Sequence, residues 1–164
     1  MKSLTCKSLL LLLALTIKPL FASEPIIMKE GTALPGFSLK DQHGKLLTTD
    51  HSLRFLLFTH DKAGSKVVKK AFAEEKTDLL VANKAMAIAE ISGMPSFITK
   101  TIALPRMRKY PYRLGLDREG HATVAIPREE KMVTVIELEN GLIKSIQFVG
   151  APIALKSLVV NSGE

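Results

Sequence analysis

Two short apolar runs, separated by an amphipathic helical pattern, constrain the fold of this 164-residue chain more than any other feature. Residues 54–59 contain four consecutive apolar residues, and residues 85–91 are apolar except for Glu90, as expected for central strands covered on both faces. Between them, apolar residues at helical spacing predict a helix that Asp61 caps and that runs to about Ala82. A helix between two buried strands makes those strands parallel, which predicts an α/β sheet.

The elements on either side of this unit extend the sheet. Residues 37–39 and 45–48 predict an N-terminal hairpin with a glycine-bearing turn. After the second apolar run, residues 96–104 predict a short helix that Pro105 ends. Residues 112–116 then predict another strand.

The last part of the chain predicts a hairpin and a closing helix. Residues 121–126 fit either one helical turn or an edge segment. Asn140-Gly141 is the strongest hairpin signal, and it lies between the strand patterns of residues 132–138 and 142–149. Pro152 is well placed as the first residue of a helix that runs to about residue 160. Together these elements predict one α/β domain with a mixed central sheet and helices on both faces.

The N-terminus has the residue order of a secretory signal peptide. Lys2 and Lys7 precede the apolar residues 8–17, and a small residue, Ala22, follows the apolar run. This run is about ten residues long, whereas about 20 are needed to span a bilayer. We therefore expect residues 1–22 to be a signal peptide that is cleaved after Ala22, and the protein to be periplasmic or secreted. An uncleaved membrane anchor is the alternative, and no second stretch of spanning length follows.

Cleavage leaves a single domain over residues 23–164, with its core at about 34–160 and an arm over residues 24–35. It removes three of the 23 basic residues and none of the 16 acidic ones, so the net charge falls from +7 to +4. It also removes Cys6, the one cysteine of the chain. The absence of a thiol excludes thiol–disulfide oxidoreductase activity, thiol peroxidase activity and cysteine ligation of a metal.

The order of the predicted elements resembles the thioredoxin fold in its peroxiredoxin-like (redoxin) variant. This resemblance implies a three-layer α/β/α sandwich with a mixed central sheet and an N-terminal hairpin extension. The second half of the chain is most similar to the YtfJ family of periplasmic proteins. That similarity rests on Lys109-Tyr110-Pro111, the turn at residues 117–120, the strand at 133–136 and Asn140-Gly141.

The chain departs from thioredoxins at their reactive centre. Thioredoxins carry a Cys-x-x-Cys motif where the first central strand meets the long helix, but residues 60–66 here read His-Asp-Lys-Ala-Gly-Ser-Lys. The place of their cis-proline falls near Met132, and Pro127 is several residues too early to fill it. The resemblance therefore implies the fold without the redox chemistry.

The best candidate site is the junction formed by His60, Asp61, Lys62 and Ser65. A helix N-terminus offers free backbone N–H groups, and ligands of open α/β sheets bind beyond the carboxyl ends of the strands. The alternative is that Asp61 caps the helix and His60 is an ordinary surface residue. A hydrolytic triad of Ser65, His60 and Asp61 is not expected, because no nucleophile-elbow motif is present and adjacent His60 and Asp61 would point apart if the strand continued through them.

A second candidate is the basic connector that contains Arg106, Arg108 and Lys109. Arginine suits planar carboxylate or phosphate groups, so the connector predicts a docking patch for an acidic protein surface or for anionic lipid. The alternative is a solvated connector that serves solubility. Only two tyrosines lie nearby, and nucleic acid is not an expected partner.

Met94 is expected beside the His60 junction. With Phe97 and Ile98 it would form either an apolar lip of a groove or ordinary core, and core packing is the interpretation we favour. No metal is expected, because the spacing of His43, His51 and His60 matches no compact ligand motif.

Three functions remain open at this point. The first, which the residues favour, is a non-catalytic binding or adaptor domain for another envelope protein or a small anionic ligand. The second is an oxidoreductase that relies on a bound redox cofactor such as flavin (FAD or FMN), although no cofactor is predicted from a motif. The third is a cysteine-independent enzyme that uses His60, although no catalytic residue is predicted.

Overall fold

The computed structural model of the chain describes residues 27–161. The expected signal peptide at residues 1–22, its cleavage after Ala22 and the cysteine at position 6 lie outside the described residues. Among residues 27–161, no helix is both long enough and apolar enough to cross a membrane.

A mixed five-stranded sheet forms the centre of the fold, as predicted. An N-terminal hairpin of β1 (Ser38–Lys40) and β2 (Leu46–Thr48) makes a separate two-stranded sheet. The central strands are β3 (Phe55–Thr59), β4 (Ala85–Glu90), β5 (Leu114–Asp117), β6 (Val133–Glu139) and β7 (Leu142–Val149). Their order across the sheet is β5-β4-β3-β6-β7. The pairs β3–β4 and β4–β5 are parallel, whereas β6 runs antiparallel to both β3 and β7.

The long helix predicted from Asp61 to Ala82 is two helices, so that prediction is wrong in its length. Helix α1 is Lys62–Phe72 and helix α2 is Leu79–Ala82. The second helix begins separately because the side chain of Asp78 accepts hydrogen bonds from the backbone N–H groups of Leu80 (3.0 Å) and Val81 (3.1 Å). Asp78 is therefore an N-cap, which sequence periodicity alone does not reveal.

The short helix predicted over residues 96–104 continues past Pro105, so the predicted stop is wrong. Its parts are α3 (Ser96–Ile98), a π-helical turn (Thr99–Ala103) and α4 (Leu104–Met107). Pro105 lies in the first turn of α4, directly after the π-helical turn. The final helix, α5 (Pro152–Asn161), begins at Pro152 as predicted.

Two other boundaries differ from the sequence expectation. The strand expected at residues 112–116 begins at Leu114, because the buried side chain of Gln42 is hydrogen-bonded to the carbonyl of Tyr112 (2.8 Å) and to the N–H of Leu114 (2.8 Å). Residues 121–126 form neither a helix nor a strand but a succession of turns. Ile126, at the end of these turns, is buried.

The sheet has a buried core on each face. One core packs the sheet against α1, α2, α4 and α5. The other packs it against the N-terminal arm and hairpin and the turns that carry Ile126, through buried residues that include Met28 and Phe37. Within residues 27–161, no helix contributes a buried residue to this second core. The outer layer there consists of the arm, the β1–β2 hairpin and turns.

Candidate functional site

A groove of about 1010 Å³ lies beyond the carboxyl ends of β3 and β4. One face of α1, along its whole length, forms one wall, and the chain from Gly93 to Tyr110 forms the other. Seven of the eight candidate residues line it: His60, Asp61, Lys62, Ser65, Met94, Arg106 and Lys109. The two candidate sites, far apart in sequence, are therefore parts of one surface, and the expected closeness of Met94 to the His60 junction is confirmed.

Asp61 holds together the end of the groove that lies at the N-terminus of α1, which we call its inner end. Its carboxylate accepts a hydrogen bond from the backbone N–H of Gly64 (2.7 Å), which caps α1, and another from the backbone N–H of Lys131 (2.6 Å). Burial tends to raise the pKa of Asp61, but the hydrogen bonds from Gly64 and Lys131 outweigh it and lower the pKa below its usual value. Asp61 is thus a structural anion at neutral pH.

The close packing of α1 against the start of β6 depends on Gly64. A Cβ atom on Gly64 would lie 2.5 Å from the carbonyl oxygen of Met132. Lys131, just before it, has a positive φ of 64°, so the chain turns sharply there and presents its N–H to Asp61. Among the described residues no peptide bond is cis, and Lys131 precedes Met132, near which the place of the thioredoxin cis-proline was expected.

The hydroxyl and imidazole groups of the junction do not form a catalytic set. The hydroxyl of Ser65 donates to the carbonyl oxygen of Asp61 (2.8 Å) and lies 3.1 Å from the hydroxyl of Thr59. His60 stacks on Phe58, and its Nε2 lies 3.9 Å from Oδ2 of Asp61. We expected His60 and Asp61 to point apart only if the strand continued through them, and it does not, because β3 ends at Thr59. Within residues 27–161, no hydrogen bond joins His60 to Ser65.

An apolar wall is built by the α3–α4 segment. Met94, Met107 and Tyr110 are half-buried and pack against the core on one side while lining the groove on the other. Ile98 and Ile102 line the groove and are exposed, Ile102 to 41%. The core packing that we favoured for Phe97 and Ile98 is therefore wrong, since Phe97 is 70% exposed. The π-helical turn changes the helical spacing from which core positions are inferred.

The opposite wall is cationic. Lys62, Lys66 and Lys69 follow one another at spacings of four and three residues, so they lie along one stripe of α1. Arg106 and Lys109 add two cations at the far side of the groove. All five side chains belong to exposed residues, and none of them forms an ion pair with another described residue.

Three carboxylates also line the groove, and two are already held. Asp61 is bound by backbone N–H groups, and Glu90 forms an ion pair of 2.6 Å with Arg128. Glu74 lies at the outer end of α1. The groove thus has a surplus of positive charge that is available to a ligand.

Arg108 is the one candidate residue that does not line the groove. Its guanidinium Nε donates a hydrogen bond of 3.0 Å to the carbonyl oxygen of Gln42, in the turn of the N-terminal hairpin. Arg108 therefore fastens the connector to the hairpin. Sequence reasoning treated it as equivalent to Arg106, because the contact with Gln42 spans 66 residues.

Two lining lysines were missed as site residues. Lys66 and Lys69 were not among the predicted site residues, but both are exposed on α1 and line the groove. Their spacing of four and seven residues from Lys62 indicates one stripe of α1, but the sequence does not show that a groove lies beside that stripe. As for cofactors, no group of three or more His, Cys, Asp or Glu residues is arranged to hold a metal among residues 27–161.

The sequence matches no protein-family model and no curated protein. Solved structures do match the fold. Peroxidoxin BcpB from Mycobacterium tuberculosis is 13% identical, with a TM-score of 0.56 over 84% of this chain and 99% of that one. The thioredoxin domain of a thiol-disulfide oxidoreductase from Bacteroides vulgatus is 12% identical, with a TM-score of 0.53 over 84% and 99%. A thiol:disulfide interchange protein from a Bacteroides species is 12% identical, with a TM-score of 0.51 over 84% and 93%.

These similarities show the fold. The chain has a thioredoxin-like fold with a central mixed sheet and flanking helices, as the order of its predicted elements implied. At this level of identity the similarity does not carry the activity of the neighbours to this chain. The one cysteine of the sequence, Cys6, cannot form a dithiol within the chain.

Proposed function

We propose that this protein is a non-catalytic binding or adaptor domain of the periplasm or the secreted fraction. Its groove would hold part of another envelope protein or a small anionic ligand. The groove itself carries the proposal: it combines an apolar wall with five cations that have no ion-pair partner among the described residues. It also lies at the edge of the sheet where α/β folds bind ligands.

The sequence supports the same proposal in two ways. The N-terminal residue order predicts export, and the second half of the chain resembles the YtfJ family of periplasmic proteins. The junction residues that replace a Cys-x-x-Cys motif have structural partners: Asp61 caps α1 and holds Lys131, and Ser65 is bonded to the backbone. A binding role requires no reactive group that the chain lacks.

Blocking the groove tests the proposal. Gly93 lines the groove, its added Cβ would meet nothing within 4 Å, and its φ is not in the positive region. Gly93→Trp should therefore fill the groove without straining the backbone. Gly36→Trp is the matched control, because an added Cβ on Gly36 would also meet nothing within 4 Å, and Gly36, just after the arm, does not line the groove.

The experiment captures partners from envelope extract on the immobilised protein and on both variants. We expect a partner that is retained by the unchanged protein and by Gly36→Trp, and lost with Gly93→Trp. A partner retained equally by all three proteins would show that the groove is not the site. Absorbance of the purified protein between about 350 and 500 nm would contradict the proposal in favour of the flavin enzyme.

A further inference from the structure

The two walls of the groove define the pattern of its ligand. We propose that the groove binds an extended polypeptide segment in which acidic and apolar side chains alternate. This inference rests on the proposed binding function and specifies the class of partner.

The two walls of the groove differ in charge and polarity. Lys62, Lys66 and Lys69 form a row on one side. On the other side Ile98 and Ile102 present apolar surface, and Arg106 and Lys109 belong to the same segment. An extended chain directs successive side chains to opposite sides. A segment that lies between the walls therefore satisfies both when its acidic residues face the lysines of α1 and its apolar residues face Ile98 and Ile102.

The spacing of the three lysines is similar to that of alternate residues in an extended chain. Along a helix, residues four and three apart are separated by about 6 and 4.5 Å of axial rise. Alternate residues of an extended chain are about 6.6 Å apart. The row of three lysines, about 10 Å long, thus matches two or three alternate carboxylates, and the flexible lysine stems absorb the small difference.

A peptide fits the groove better than two other classes of anionic ligand. A lipid with one apolar chain, such as a fatty acid, carries a single anionic group. It would therefore leave most of the three lysines without an anionic partner. A nucleic acid strand would need stacking surfaces, and Tyr110 and His60 are the aromatic side chains among the lining residues described. An acidic peptide uses the whole row and the apolar wall together.

The test uses two synthetic heptapeptides of the same composition and charge. One alternates four glutamates with leucine, valine and alanine, and the other places all four glutamates before the three apolar residues. Affinity is measured by titration of the purified protein, and the site is mapped by backbone NMR shifts. We expect the alternating peptide to bind about tenfold more tightly and to shift resonances of α1 and of residues 93–110.

Lys66→Glu and Lys70→Glu form a matched pair for this experiment. Both lysines are exposed on α1, but Lys70 does not line the groove. Lys66→Glu should weaken binding of the alternating peptide about tenfold, and Lys70→Glu less than about twofold. Equal weakening by the two variants would show that net charge, not the lysine row, governs binding, and would overturn the inference.

Failure of the inference is distinguishable from failure of the proposed function. The two peptides could bind with equal affinity and cause NMR shifts of groove residues that Gly93→Trp abolishes. That result would overturn the preference for alternating side chains and would support the proposed binding function of the groove. If neither peptide binds but vesicles that contain phosphatidylglycerol do, the polypeptide is overturned as the ligand and a lipid surface replaces it. Shifts confined to residues outside the groove would contradict both proposals.

Discussion

The backbone N–H of Lys131 donates a hydrogen bond of 2.6 Å to Oδ2 of Asp61, 70 residues earlier in the chain. The same carboxylate caps α1 through Gly64. One side chain therefore fixes the start of the helix and the turn before β6, and it does so at the junction where thioredoxins carry their thiols. Asp61 therefore ties the start of α1 to the turn before β6 at the inner end of the groove.

Asp61→Ala should destabilise the protein by about 2 to 3 kcal/mol, because it removes an N-cap and a charged hydrogen bond to Lys131. The free energy of unfolding in urea measures this. Glu129→Ala, at an exposed position in the same turn region, should change it by less than about 0.5 kcal/mol. Similar effects of the two substitutions would contradict the double role of Asp61.

Gly64→Ala should destabilise the protein by roughly 1 to 3 kcal/mol, since its Cβ would lie 2.5 Å from a backbone oxygen of Met132. Gly93→Ala is the comparison, because nothing lies within 4 Å of the added atom and φ is not in the positive region. It should be neutral or stabilise the protein by up to about 1 kcal/mol. Thermal unfolding of both variants checks the close approach of α1 to β6.

The stability of the protein should fall in acid, in part through Asp117. Burial tends to raise the pKa of Asp117, but hydrogen bonds from Thr123, Gly120 and Glu119 outweigh it and lower the pKa. A lowered folded-state pKa gives stability that is present above the usual carboxyl value of 3.8 and is lost as the pH falls through the lower value.

Urea unfolding of the unchanged protein and of Asp117→Asn, at neutral pH and at about pH 2.5, measures this contribution. Asp117→Asn should be less stable at neutral pH and should lose less stability on acidification than the unchanged protein. An identical loss in both proteins would show that Asp117 does not contribute to the acid sensitivity.

Arg106→Glu should weaken binding without changing stability, whereas Arg108→Glu should lower stability without changing binding. Arg106 lines the groove, so its reversal should weaken binding of an acidic partner while leaving stability within about 0.5 kcal/mol. Arg108 holds the carbonyl of Gln42, so its reversal should cost about 1 kcal/mol of stability and leave binding unchanged. Binding affinity and urea unfolding, measured on both variants, separate the two roles.

The sequence predicted the central sheet well, because buried parallel strands are marked by apolar runs. The predicted run at 85–91 and the observed β4 differ by one residue, and Asn140-Gly141 forms the expected turn with both φ values positive. The helices were harder to predict. The break after Phe72 depends on a capping side chain, and the continuation past Pro105 depends on a π-helical turn.

The candidate site was predicted in its parts but not as a whole. Strand ends and basic clusters are visible in a sequence, so His60, Asp61 and Arg106 were found. Tertiary structure decides which of two nearby arginines faces a groove and which bonds to a distant carbonyl, and so Arg108 was grouped with Arg106. The exposure of Ile98 and Ile102 likewise depends on the neighbours of the α3–α4 segment.

The most direct test of the binding groove is photo-cross-linking in the cell envelope with benzoylphenylalanine at one position at a time. Ile102 in the groove and Phe148 on the edge strand β7 are both 41% exposed, so they offer the probe equal access to solvent. We predict a discrete adduct from position 102 and none from position 148. An adduct from position 148 alone, or from neither position, would contradict a binding site in the groove.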